Sequence, residues 1–211
     1  MELHFYPGQH LLVGRDQNTV KVRVEAWGGP DKMGTDARMP EEPTWPGTYV
    51  IDSAHPYNTA SWPYARIRWG TKLQDKPELN DVWHELANGK WASVSKDFGI
   101  TRNNIKALHA ALYVANTVPA TWVFNDFGPI AIRWFKDLNG NRRLDGKEQL
   151  SGQMFHTTPI NEAQHARGLT VELTASHGCI HLKPADRDQL FALGAFKPKT
   201  VFVVHEYHEK A

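Results

Sequence analysis

The sequence predicts a mixed α/β domain that is mainly β. Three observations carry this. Val20, Val22 and Val24 alternate with Lys21, Arg23 and Glu25, the period-two pattern of a strand with one wet face. Short apolar runs recur along the chain, bounded by turn residues such as Pro7-Gly8 and Gly28-Gly29-Pro30. Helical spacing is clearest in a single segment, where Ile105, Leu108, Ala111, Leu112 and Ala115 follow Thr101. At 211 residues the chain reads as one domain over 1–211 with a substantial core.

Taken in order, residues 3–6 and 11–13 read as short strands split by Pro7-Gly8, and Thr19–Trp27 as the half-buried strand. Residues 30–47, rich in Pro, Gly, Asp and Glu, read as a loop. Strands resume at 48–51 and 65–69, the second with Arg66 and Arg68 on one side, and 53–63 reads as a surface loop. Residues 80–87 read as a short helix ending at Asn88-Gly89. Thr101 is a good N-cap for the next helix, closed by Asn116 and Pro119, with His109 as a packing residue beside its apolar stripe. Residues 121–125 and 130–135 read as a strand pair turning at Phe127-Gly128-Pro129. Leu150–His156 is a strand delivering His156 at its end; 159–167 is a polar helix stopped by Gly168. A strand at 169–173, a helix at 184–193 opened by Pro184, and a closing strand at 199–205 complete the chain.

Composition excludes several classes. Hydrophobic residues at 41% and charged residues at 22% are ordinary for a globular protein, and a net charge of +1 gives no reason to invoke nucleic acid. No apolar run reaches the length of a bilayer span, so no membrane insertion is expected. The first residues lack the basic and apolar regions of a standard signal peptide. One cysteine permits no intramolecular disulfide. Eight tryptophans and six tyrosines suit either core packing or an aromatic groove for glycans or peptides.

That cysteine sits in Ser176-His177-Gly178-Cys179-Ile180-His181. A thiol is nucleophilic as the thiolate, and a nearby imidazole is the usual means of making one. Gly178 permits a tight turn that aims amide N–H groups at a developing oxyanion. The plain alternative is a small buried hydrophobe beside Ile180 and Leu182.

Ser176-His177-Gly178-Cys179-Ile180 resembles the signature of L,D-transpeptidase catalytic (YkuD-type) domains. Phe155-His156-Thr157-Thr158 is similar to that family's earlier histidine segment, and the stretch from Pro43 to Ile51 to its Thr-Pro-x-Gly-x-apolar strand opening. The motifs stand in the family's order over a region of about 20–204. The resemblance implies a β-sandwich-type catalytic domain with helical and loop insertions. It also implies Cys179 as nucleophile, His156 as general base, Thr157 as the residue orienting that imidazole, and His177 and Gly178 with the Cys179 amide around the oxyanion. Ser176 would support the turn through hydrogen bonds. His181 stands where the family has Arg or Asn, and the segment between Tyr49 and His156 reads as a large insertion.

The expected substrates are peptidoglycan stem peptides, met in the periplasm or cell wall, by transpeptidation, D-amino-acid exchange or L,D-carboxypeptidase action. With no signal peptide, the chain resembles an interbacterial effector exported by a contact-dependent secretion apparatus and countered by an immunity protein. Two alternatives stand beside this: a wall-binding module with weak catalysis, and a cysteine acyltransferase or protease acting on protein.

No cofactor is required by this chemistry. Two metal readings arise from ligand types. His156, His177, His181 and Cys179 have zinc-ligand identities, although Cys179 and His181 are tightly spaced. Residues 137–148 place oxygen-bearing side chains like an EF-hand loop. Asp137, Asn139, Asn141, Arg143, Asp145 and Glu148 would hold a structural calcium, against Arg142 in the glycine position and the opposing reading of an Asx-turn-rich hairpin loop.

Overall fold

The alternation of Thr19–Trp27 appears from Lys21 onward in the computed structural model, which describes residues 1–17, 19–35 and 41–211, while Val20, expected on the buried face, is exposed at the strand's start. Val22, Val24 and Ala26 are buried, while Lys21, Arg23 and Glu25 face water. In chain order the elements are β1 (Glu2–Tyr6), β2 (Leu11–Asp16), β3 (Thr19–Trp27), β4 (Gly47–His55), β5 (Leu73–Lys76), β6 (Asp81–Glu85) and β7 (Trp91–Ser93). Then come α1 (Val94–Phe98), α2 (Arg102–Tyr113), β8 (Ala131–Phe135), β9 (Leu150–His156), α3 (Pro159–Ala166), β10 (Ile180–Leu182), α4 (Pro184–Ala192) and β11 (Val201–Val204). The mainly β, mixed α/β class holds.

The contacts divide the chain into two compact units. The first comprises residues 1–55, 131–157 and 171–211. Among its described residues, eight strands close into a barrel in the order β1-β11-β4-β8-β9-β10-β3-β2. The sheet that the resemblance frames as a sandwich thus closes on itself, which leaves no open edge. Two pairings are parallel, β1 with β11 and β9 with β10; the others are antiparallel. Inside, Trp134, Phe155 and Phe202 are essentially fully buried, with ring centroids 4.7–5.1 Å apart in tilted and edge-on contacts. Burial of each such ring stabilises the fold by roughly 1.5–3 kcal/mol, and each aromatic pair adds about 0.5–1.5 kcal/mol.

The second unit comprises residues 56–130 and 158–170. It holds the antiparallel sheet β5-β6-β7, helices α1, α2 and α3, and a core that includes Ile67, Leu73, Val82, Val94, Ile105, Trp122 and Phe124. Thr101 caps α2 in a reciprocal box with Asn104. His109 Nδ1 donates to Thr117 O, 2.8 Å away, and its ring packs against Tyr113 and Phe124, a structural role.

Several expected elements differ. Residues 81–85 form strand β6 instead of a helix, because Asn88-Gly89 is a hairpin turn, with Gly89 at φ +76°, and not a helix stop. Residues 65–69 are not a strand; Tyr64–Arg66 is a 3-10 turn, and the buried Asn125 carboxamide takes the Ile67 carbonyl that a ladder would have used. Residues 121–125 do not pair with β8, whose partners are β4 and β9; Thr121 makes one bridge to Lys72, while Trp122 and Phe124 serve the second core. Residues 169–173 are irregular. Strand β4 runs on to His55, into the expected 53–63 loop. Of the expected loop at 30–47, residues 36–40 lie outside the described residues.

Candidate active site

The site residues lie in the first unit and are assembled by one pairing. Parallel β9 and β10 set Phe155 beside Ile180 and His156 beside His181. Phe155 and Ile180 point into the barrel core. Strand alternation therefore turns His156 and His181 to the opposite face. Their rings meet edge-on with centroids 4.8 Å apart. Cys179 immediately precedes β10 and hydrogen-bonds the Met154 backbone, which puts it on the same pair two residues from the histidine position.

The turn carrying Cys179 is held from several sides. Ser176 accepts a hydrogen bond from Gly178 N at 3.0 Å and donates to the Cys179 carbonyl. Its own N–H donates to Gly28 O at 3.1 Å. Thr44 Oγ1 accepts from Gly29 N at 3.0 Å and donates to Gly178 O at 2.9 Å, tying three segments through one buried hydroxyl. Gln153 donates to Pro43 O at 2.8 Å and accepts from Trp45 N at 3.3 Å. Thr44 and Gln153 hold this turn in place; the sequence reading placed Thr44 inside the Pro43–Ile51 motif without giving it a role, and it did not single out Gln153. A glutamine directly before the apolar pair Met154-Phe155, in a segment read as a strand, was the available signal for the second.

Two glycines are required by approach distances. A Cβ on Gly29 would lie 1.7 Å from Glu42 O and 3.1 Å from Gly178 Cα. Gly178 has φ +109°, and a Cβ there would lie 2.4 Å from Gln153 Nε2. Gly178→Ala therefore combines a left-handed backbone with displacement of a hydrogen-bonded carboxamide. It is expected to lower stability by about 1–3 kcal/mol in urea unfolding. An unchanged midpoint would show that the turn tolerates a side chain.

Electrostatically the pair is neutral at rest. His156 is buried and Nδ1 is 2.8 Å from the Thr157 carbonyl, so Nδ1 carries the proton and Nε2 is the lone-pair nitrogen. Burial, reinforced by the neighbouring His181, lowers the His156 pKa to about 3. Burial likewise lowers that of His181, whose Nδ1 faces Thr174 O at 3.0 Å, with His177 adding repulsion. Cys179 keeps part of its surface accessible, yet its dense surroundings push the thiol up to about 11. A neutral thiol on the same strand pair as a neutral imidazole suits proton transfer concerted with attack, instead of a preformed thiolate.

Among the described residues, no group of three or more His, Cys, Asp or Glu side chains is disposed to hold a metal ion. In the 137–148 loop the oxygens serve the loop itself. Asp137 accepts from Gly140 N and Arg142 N, Glu148 from Leu138 N and Asp145 N, and Asn139 and Asn141 donate side-chain N–H groups to Asp145. Arg143 N donates to Asn141 Oδ1, and Arg142 holds the left-handed φ of +56° at the position where an EF-hand loop has glycine.

The chain matches the family model YkuD, L,D-transpeptidase catalytic domain, over residues 6–203. No curated protein matches it. Among solved structures it is similar to an L,D-transpeptidase from Mycobacterium smegmatis, with 12% identity and a TM-score of 0.37. That alignment covers 97% of this chain and 58% of the mycobacterial one, so the chain spans little more than half that protein's length.

Proposed function

Because the chain belongs to the L,D-transpeptidase catalytic-domain (YkuD) family, we propose that it cleaves and transfers peptidoglycan stem peptides through a thioester on Cys179. The observation that carries this is the β9–β10 register, which sets the Cys179 turn beside a histidine whose Nδ1 is anchored at the Thr157 carbonyl.

His156 Nε2 takes the thiol proton as Cys179 Sγ attacks the carbonyl between the L-centre of a diamino acid and the terminal D-residue. The Gly178 N–H is committed to Ser176, so the Cys179 N–H is the donor from this turn for the oxyanion. Collapse breaks the C–N bond, and the leaving amine takes the proton from His156. The thioester then acylates an amine, giving transfer or exchange, or water, giving carboxypeptidase action. Both acceptors are deprotonated by the same imidazole.

Purified sacculi incubated with the protein test the reading. Mass spectrometry of the released muropeptides is expected to show stems shortened by the terminal residue or joined to an added amine. A muropeptide profile identical to that without protein would sink it.

A further inference from the structure

The second unit contains a cleft of about 750 Å³ that takes no part in the chemistry above. Its size falls in the range of small-ligand sites. It is lined by the segment carrying Arg66, Ile67 and Arg68 and by Glu85, Leu86, Gly89 and Phe98. Basic side chains dominate the lining: Arg66, Arg68 and Lys72 against Glu85.

The acidic group is already spent. Glu85 pairs with Lys72 at 3.3 Å. His84, also in the lining, is taken by Asp97 at 2.9 Å. The two arginines are different. Arg66 Nε reaches only the Ala60 carbonyl at 3.4 Å, and Arg68 Nε the Asn58 carboxamide oxygen at 2.9 Å. Neither guanidinium meets a carboxylate among the described residues.

The backbone beneath them is fixed. The fully buried Asn125 donates to Ile67 O at 2.8 Å and Tyr57 O at 2.9 Å, and Gly70 N donates to Trp122 O at 2.8 Å. Two planar cationic forks are thus held at i and i+2 on a rigid segment, beside the apolar surfaces of Leu86 and Phe98. That combination matches a short peptide with free carboxylates, because guanidinium pairs with carboxylate through two parallel hydrogen bonds.

We infer that this cleft binds the carboxylates of a wall stem peptide, through Arg66 and Arg68. The identity of the peptide rests on the proposed function; the carboxylate chemistry rests on the cleft. The test is calorimetric titration of the 211-residue Cys179→Ala chain with a soluble muropeptide bearing free carboxylates and with its fully amidated form. Amidation, and separately the double variant Arg66→Gln/Arg68→Gln, are each expected to weaken binding at least tenfold, with affinity falling as salt rises. Lys90→Gln, outside the cleft, should leave binding unchanged. Equal binding of both peptides, or wild-type affinity in the double variant, overturns the inference. Sacculus turnover is read separately on the wild type. Turnover without arginine-dependent binding removes the cleft alone, and arginine-dependent binding without turnover removes the transpeptidase reading alone.

Discussion

Replacing Cys179 by alanine is expected to abolish stem-peptide turnover, by about 10⁴-fold or more, in a chain that still folds. The expectation follows from what remains in the turn. Cys179 is the only cysteine. The hydroxyl of the same turn, Ser176, already accepts from Gly178 N and donates to the Cys179 carbonyl, so it has neither the freedom nor a base to replace the sulfur. Cys179→Ser is expected to fare little better. A hydroxyl is a much weaker acid than a thiol and needs a stronger base, whereas burial has made His156 a weak one. Side-chain loss at a partly accessible position leaves no large cavity, so unfolding midpoints should stay close to the wild type. The readout is release of the terminal residue from a soluble muropeptide, followed by mass spectrometry beside a circular dichroism spectrum. Turnover above about 1% of wild type in a folded Cys179→Ala chain would place the nucleophile elsewhere, since loss of a nucleophile ordinarily costs orders of magnitude more.

How much of this was legible beforehand depended on the range of the interactions involved. β3, β9, α2, α3 and α4 were readable because their signals are local: alternation, an N-cap, a proline at a helix start. β6 was misread for a local reason too, because Asn-Gly ends a hairpin as naturally as a glycine ends a helix, and five residues carry too little periodicity to decide. Trp122 and Phe124 look like strand residues in isolation. Their conformation is set by core packing with Ile67 and Ile105, which no window on the sequence contains. Barrel closure depends on β1 pairing with β11 across nearly the whole chain, and local pattern cannot specify that partner. At the site, the Cys179 and His156 segments were conspicuous as motifs. Thr44 lay in the Pro43–Ile51 motif, but what its hydroxyl does, and what the Gln153 carboxamide does, were not legible, because each matters only through segments distant in sequence.

The behaviour of His156 with pH ties fold and chemistry together. Its pKa falls from the ordinary histidine value of 6.5 to about 3 on folding, mainly through burial. Below pH 6.5 the unfolded chain therefore binds a proton that the native state refuses, and native stability falls as the pH drops from 6.5 towards 3. At pH 5 the penalty from this one group is about 2 kcal/mol, with His181 adding to it in the same direction. Activity should behave differently. His156 stays neutral down to about 3 and the Cys179 thiol stays protonated up to about 11, so on the proposed mechanism kcat/KM should be flat from about pH 5 to 9 while the fold lasts. His156→Gln separates the two roles. It removes the proposed base, with an expected loss of about 10²–10⁴ in kcat/KM, and it removes one group that must stay uncharged. The variant should therefore lose less stability between pH 7 and pH 5 than the wild type in urea unfolding. A bell-shaped wild-type profile with an acid limb near pH 6.5 would mean that His156 is solvated and unshifted. An equal acid-induced stability loss in both proteins would mean that the destabilising proton binds elsewhere.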